Sequence, residues 1–413
     1  MSHGMNLRFA FPPYPVGWLP RSVLHDYVEG NDPITGLPLM QEVIDGLTQP
    51  LKEDEIHPVM LKRPRWSRLL SPDTEANLQR LFLEKGWTDG LPVILPTEER
   101  VAEMLTGTDH APDEVLGQMT VTTHQERLEY NVEKVAVNAV MAGARPEHFP
   151  VILALAATQQ PSLPSSTTSF GSMAVVNGPV RKKIGMNSTA GALSPFNFAN
   201  SVIGRAWTLL SINFGEAKLA ENFTASTGNN VNYNNMCCAE NEETSPWQPF
   251  HVQKGFKASE STVSVFRGWS VIGFGTGQPK QMASIMTAFN SILDMFSSFT
   301  FVMDPLVAKN FKREGFQTKQ QLAKWLEEQA NVKILKAENI NFLVVGGEWN
   351  PMYLTTDFSH VRTISVDKWI PKTGIKYDDI PIRMPVAVTC KDGVCGLPGA
   401  DMPLDETETA QTH

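Results

Sequence analysis

At 413 residues, the chain is long enough for one large α/β domain or for two or three domains of ordinary size. Hydrophobic residues make up 42% and charged ones 19%, with 21 Phe and 9 Trp. That supplies a packed core and excludes a largely disordered chain. Thirty-five basic residues against 44 acidic ones leave a net charge of −9, so neither a nucleic-acid backbone nor an anionic membrane is expected as the main partner.

The longest apolar run, near Phe149 to Ala157, is about half of what a bilayer span requires. The opening MSHGMNLRFAFPPYP has no basic flank followed by an apolar stretch and does not read as a signal peptide. The four cysteines, Cys237, Cys238, Cys390 and Cys395, form no disulfide framework, and a cytoplasmic location is expected.

In chain order, residues 1–75 hold prolines among aromatics without a clean apolar period, which predicts an irregular arm that wraps across a larger body or a partner subunit. Ser71-Pro-Asp-Thr-Glu opens a helix through Leu78, Leu81 and Phe82 that stops near Gly86. Thr97 is an N-cap candidate, followed by acids in the first turn. Val132, Val135, Ala136, Ala139 and Val140 lie at helical spacing and Gly143 ends that run. A second helix then starts at Pro146, kinked or shortened by Pro150, which closes an αα-hairpin.

Ser172 to Asn177 reads as a buried strand ended by Gly178-Pro179, and Phe198 to Phe214 as a helix. Ser261 to Gly273 suits strands, Lys280 to Phe296 a helix, and Phe299 to Met303 a strand. Helices follow from Leu306 to Arg313 and after a cap at Thr318, then a strand from Asn341 into Gly346-Gly347. Strand, helices and strand within this stretch predict an α/β fold with a largely parallel sheet covered by helices. The core is placed at 76–400, with two lobes left open and no internal repeat visible, and residues 401–413 read as a disordered acidic tail.

The densest chemical grouping is CCAENEETSPWQPFH, Cys237 to His251. Cys237 there is a candidate nucleophile or redox thiol, with His251 as its base. Glu240 and Glu243 either tune the pair or, with His251, hold a divalent metal and its water. An acidic surface loop with a buried Cys is the plainer reading, because no standard ligand spacing is present. Asn177 and Gly178 at a strand end, with Arg181-Lys-Lys after them, are candidates for holding a polar or anionic substrate. Asn200 and Arg205 on the following helix, and Asn138 on the hairpin, are further substrate-binding candidates.

Gly273-Phe-Gly-Thr-Gly and Gly346-Gly347-Glu348 give loops where the backbone can approach a ligand, but they match no phosphate-binding signature, and flexible turns are the simpler account. Cys390 and Cys395 flank an Asp-Gly turn that can bring the sulfurs together as a disulfide or a ligand pair.

Four patches in order, GWTDGLPVILPTEERV (86–101), EKVAVNAVMAGARPEHFPVILA (133–154), VVNGPVRKKIGMNS (175–188) and CCAENEETSPWQPFHVQKGF (237–256), resemble a bacterial family associated with UGSC-motif (seleno)proteins. The resemblance covers roughly 86–350. The UGSC tetrapeptide itself is absent, so its redox chemistry is not carried over. The family pattern also implies a Cys where Ala144 stands, and a Glu-His pair in the stretch occupied by Leu306 and Val307. It supports the Cys237 and Glu240–Glu243 patch together with His251.

The resulting expectation is a small-molecule enzyme with a Cys/His/Glu site that works on a small polar or anionic organic substrate by thiol or redox chemistry. The alternatives are a metal-dependent hydrolase or lyase using Glu and His ligands, with a divalent metal as the open cofactor question, and a non-catalytic subunit of a complex. A homo-oligomer formed through the N-terminal arm is expected in each case.

Overall fold

The computed structural model describes residues 8–17, 19–57, 67–119, 128–166, 170–219, 221–223, 227–233, 236–289, 298–330, 335–375, 389–391 and 394–396. The chain forms two compact units, Met1–Ile375 and Lys376–His413. The expected tail at 401–413 lies outside the described residues.

Ten strands of the larger unit are β1 (Val115–Met119), β2 (Leu128–Asn131), β3 (Gly171–Asn177), β4 (Met236–Ala239), β5 (Thr262–Gly268), β6 (Val271–Gly275), β7 (Phe299–Met303), β8 (Ile340–Val344), β9 (Tyr353–Thr356) and β10 (Ser359–Ser365). β1 and β2 form a small antiparallel ribbon. The other eight make two four-stranded sheets, ordered β10-β5-β3-β4 and β6-β9-β7-β8.

Strand alternation sets the layers. On β3 and β4, Ala174, Val176, Cys237 and Ala239 face the helices Val132–Met141, Phe149–Ala157 and Phe198–Asn213 in one buried cluster. Met173, Val175 and Cys238, offset by one residue, instead meet Val302, Leu343 and Val345 of the second sheet. Phe299, Phe301 and Met303 turn the other way, onto the helices Pro279–Ala288, Pro305–Arg313 and Lys319–Gln329. The order of layers is therefore helices, sheet, sheet, helices, with a sheet-on-sheet core in the middle.

This corrects the expectation of a largely parallel sheet. In each sheet one ladder is parallel, β3 with β4 and β7 with β8, and the other two are antiparallel. The fold is α+β. Helices cross over between the strands of each parallel pair, but the short segment 345–352 after β8 cannot make such a crossover, so β9 returns antiparallel.

The two sheets repeat one plan that periodicity had hidden. The chain runs β3, helices, β4, β5, β6 and then β7, helices, β8, β9, β10. In each half the first three strands stay together and the fourth joins the opposite sheet, β6 on β9 and β10 on β5. The two crossing segments meet, since Asp357 accepts from the Trp269 and Ser270 amides at 2.9 and 3.0 Å.

Helix starts follow their caps. Thr74 and Thr97 accept from Asn77 N and Arg100 N, and Thr318 forms a capping box with Gln321. The hairpin forms as expected, with Pro150 tolerated because it falls in the first turn of Phe149–Ala157. The helix after the Gly273 loop is Pro279–Ala288, and the expected continuation through 290–296 lies outside the described residues. The expected irregular arm instead carries the helices Arg21–Glu29, Leu39–Thr48 and Glu53–Ile56. Pro20 and Pro38 occupy N-cap positions there, outside the interiors that proline breaks.

In the smaller unit Thr389–Lys391 pairs antiparallel with Val394–Gly396, and Cys390 lies opposite Cys395 in that register.

Candidate functional site

β4 carries the two adjacent thiols to opposite faces of its sheet, Cys237 toward the outer helices and Cys238 into the inter-sheet core. Both are buried, and burial pushes both thiols up, Cys238 to about 12. That is the reverse of what activates a thiolate nucleophile. Cys237 borders the Gly204 backbone of the helix layer. His251 lies beyond the strand end in the short helix Phe250–Gln253, fully buried, with Nδ1 4.0 Å from Glu242 Oε1. Neither ring nitrogen of His251 finds a hydrogen-bond partner among the described residues. Cys237 is thus buried among the helix-facing apolar residues, and His251 is buried beside Glu242.

The acids between them form a matched charge network. The fully buried Glu240 carboxylate accepts from Lys319 Nζ at 2.8 Å, Asn177 Nδ2 at 2.7 Å, Phe250 N at 2.7 Å and Val344 N at 3.3 Å. Burial would raise its pKa, but Lys319 and these hydrogen bonds hold it lowered. Glu242 accepts from Gly178 N at 2.7 Å and pairs with Arg181 at 3.1 Å. Glu243 pairs with Arg181 and Lys182 at 2.8 and 2.9 Å, and the Arg181 hydrogen bond brings its pKa down to about 2. Among the described residues no three His, Cys, Asp or Glu side chains converge as metal ligands. A metal at Glu240, Glu243 and His251 would have to displace Lys319 and Arg181, so this donor set does not fit one.

The remaining candidates are structural in their contacts. Arg205 forms a two-pronged pair with Asp89 at 2.9 and 3.0 Å and donates to Pro92 O. Asn138 accepts from Asn213 Nδ2 at 2.7 Å and ties two helices together. Asn200 accepts from Asn187 N and donates to Asn187 O and Ala192 O, which fixes the loop before its helix. Asn177 and Gly178 belong to the charge network, and Asn177 Oδ1 finds no hydrogen-bond partner among the described residues.

That Asn200-held loop leads to a cavity the constellations had not pointed to. About 700 Å³ in volume, it lies at the carboxyl ends of β7 and β8. Ala190, Gly191 and Ala192 line it together with Val302, Val345 and Leu354, and Phe274, Asp304, Trp349 and Asn350 complete the lining with a few neighbours. Asp304 caps the helix Pro305–Arg313: Oδ1 accepts from Leu306 N at 2.8 Å, and Oδ2 accepts from Glu348 N at 2.9 Å.

The backbone of the cavity wall is unusual. Gly346 has φ +131°, and Glu348, which carries a side chain, has φ +62°. A Cβ on Gly347 would lie 2.7 Å from Ala190, and Gly346 N donates to Ser188 O at 2.9 Å. The two loops touch so closely that only glycine fits. Strained backbone of this kind costs on the order of 1–3 kcal/mol and concentrates at binding sites. Gly346-Gly347-Glu348 and Phe274, from the two weakest glycine signals in the sequence, are the residues that meet here. Asp304 and Trp349 carried no sequence signal beyond an Asp-Pro dipeptide, a helix-start pattern, and an aromatic beside Gly-Gly.

The chain matches no family model, no curated protein and no solved structure. The likeness to UGSC-motif proteins therefore rests on the four sequence patches alone. Among the described residues no helix is long and apolar enough to cross a membrane.

Proposed function

We propose that the protein is an enzyme acting on a small organic molecule held in the cavity at the ends of β7 and β8, with the Asp304 carboxylate as the group that anchors it or exchanges a proton with it. One observation carries this reading: an apolar cavity of ligand size coincides with strained backbone at the carboxyl ends of a parallel strand pair. Ligands bind beyond such strand ends, and sites of this volume bind small molecules. The thiol version through Cys237 and His251, and the metal version through Glu240, Glu243 and His251, are not carried forward. Cys237 and His251 are buried, and Glu240 and Glu243 are already neutralised by Lys319 and Arg181.

Native mass spectrometry of the purified protein tests the proposal by looking for a retained small molecule. Leu193 lines the cavity and is 40% exposed, so the larger side chain of Leu193→Trp should obstruct binding without disturbing the core. The expected result is a bound mass in the native protein that Leu193→Trp lacks. A mass retained equally by both would place the ligand elsewhere and end the proposal.

An assembly role for the arm is a second reading, favoured by its apolar exposure. Phe9, Tyr14, Ile34 and Leu47 are 52%, 79%, 70% and 83% exposed, more than an isolated arm in water would keep without a partner. A second copy of the chain is the proposed cover. Light scattering on the full chain and on a Tyr14→Ser/Leu47→Ser variant should show a dimer reduced to monomer. A full-length protein that is monomeric at working concentration would remove this role.

A further inference from the structure

Resting on the reading that this cavity is the binding site, we infer that its occupant is a planar ring compound, neutral or cationic, that bears an N–H or O–H donor, and not the anionic substrate that the basic triplet at Arg181 suggested. Three observations converge on this class.

The first is size. Ala190, Gly191 and Ala192 line the cavity with small residues, and Gly347 is pressed against Ala190. Small side chains there leave room for a ring and offer a branched chain few contacts. The second is the pair of large rings left in water at the same cavity, Phe274 at 68% and Trp349 at 85% exposure. Phe274 projects from the edge strand β6, and Trp349 follows the strained Glu348. Aromatic faces favour stacked rings and cations.

The third is charge. Among the described lining residues there is no Lys, Arg or His, and Asp304 is the carboxylate. Lys309 is engaged by Glu348, next to the lining residues Gly347 and Trp349. Each Asp304 oxygen already accepts one backbone N–H, which leaves lone pairs that only a donor can use. An anion in this place would give up its hydration beside a negative charge and meet no cation in return.

Calorimetric titration with tryptamine and with indole-3-propionate separates these terms, because the two share a ring and differ in the charge of the tail. Tryptamine is expected to bind saturably and at least about tenfold more tightly than indole-3-propionate, the size of one charge-assisted hydrogen bond. Asp304→Asn keeps a good helix cap through its one acceptor oxygen, at the loss of the Glu348 N bond, and should erase most of that preference, while Trp349→Ala and Phe274→Ala should weaken tryptamine. Equal or tighter binding of indole-3-propionate overturns the inference, as does tryptamine binding that is indifferent to both Asp304→Asn and Trp349→Ala. No binding of either compound also overturns it. If indole-3-propionate binds the native chain as tightly as tryptamine or more so, and that binding is lost in Leu193→Trp, the ligand class fails but the cavity stands. If tryptamine binding survives Leu193→Trp, the cavity reading itself fails.

Discussion

Lys319 reaches Glu240 at 2.8 Å, with both side chains almost fully buried. Removing one partner of such a pair leaves an uncompensated charge in a low-dielectric interior, at a cost of about 3–5 kcal/mol, whereas removing both is far milder. Lys319→Met is therefore expected to lower stability by about that amount in urea denaturation, and Lys319→Met/Glu240→Gln by much less. Titration at single residues also gives the fold a sign on acid. Burial, with Arg145 nearby, lowers the His148 pKa from 6.5 to about 3. The unfolded chain then binds more protons between those values, so this stabilisation is complete above pH 6.5 and drains away toward pH 3. Glu243, lowered from 4.5 to about 2 chiefly by Arg181, contributes above pH 4.5 and is lost below it. The urea midpoint should fall as pH drops from 7 to 4, and His148→Asn should flatten the fall; an unchanged slope would remove His148 as its source. The buried thiols give a third expectation: iodoacetamide should leave Cys237 and Cys238 unlabelled in the native protein and label both after unfolding, read by peptide mass spectrometry. At this scale the sequence exposes residue types but not their partners. The Glu240–Glu243 cluster stood out, yet Lys319, which neutralises Glu240 from 79 positions away, gave no local sign.

Among elements, caps and periodicity act within a few residues, which is why the helices begun by Thr74, Thr97 and Thr318 and the strands around Ser172–Asn177 and Phe299–Met303 were legible. Pairing acts over distance. β9 has four residues and β6 five, too short for their alternation to announce a partner, so the antiparallel returns were missed. The crossing of strands between sheets depends on tight packing. A Cβ on Gly268 would come within 2.4 Å of the Phe358 ring and 2.5 Å of Asp357, while one on Gly273 would meet nothing within 4 Å. Gly268→Ala is expected to cost about 1–3 kcal/mol through overpacking, and Gly273→Ala to change stability by less than about 0.5 kcal/mol. Equal midpoints in denaturation would show that the crossing is looser than its geometry. The cavity was illegible for the same reason: Phe274, Asp304 and Trp349 come from three separate segments that only the second sheet assembles.

For the molecule as a whole, each half of the 171–365 core completes the other's sheet. Opening one half strips a strand from its neighbour, so the sheets should lose protection together. Hydrogen exchange read by mass spectrometry is expected to give β3 and β7 peptides the same opening free energy; a gap of several kcal/mol would mean that the halves unfold independently. The exchange also has a consequence for how the protein is made. A ribosome releases β3, β4 and β5 long before β10, and releases β6 long before the β9 it must pair with. During synthesis the flank of β5 stays uncovered until Ser365 emerges, and β6 waits with no neighbour. The nascent chain therefore carries two open sheet borders from the release of Gly275 until Tyr353 and the residues after it follow, and there stray pairing or a chaperone's grip would first take hold.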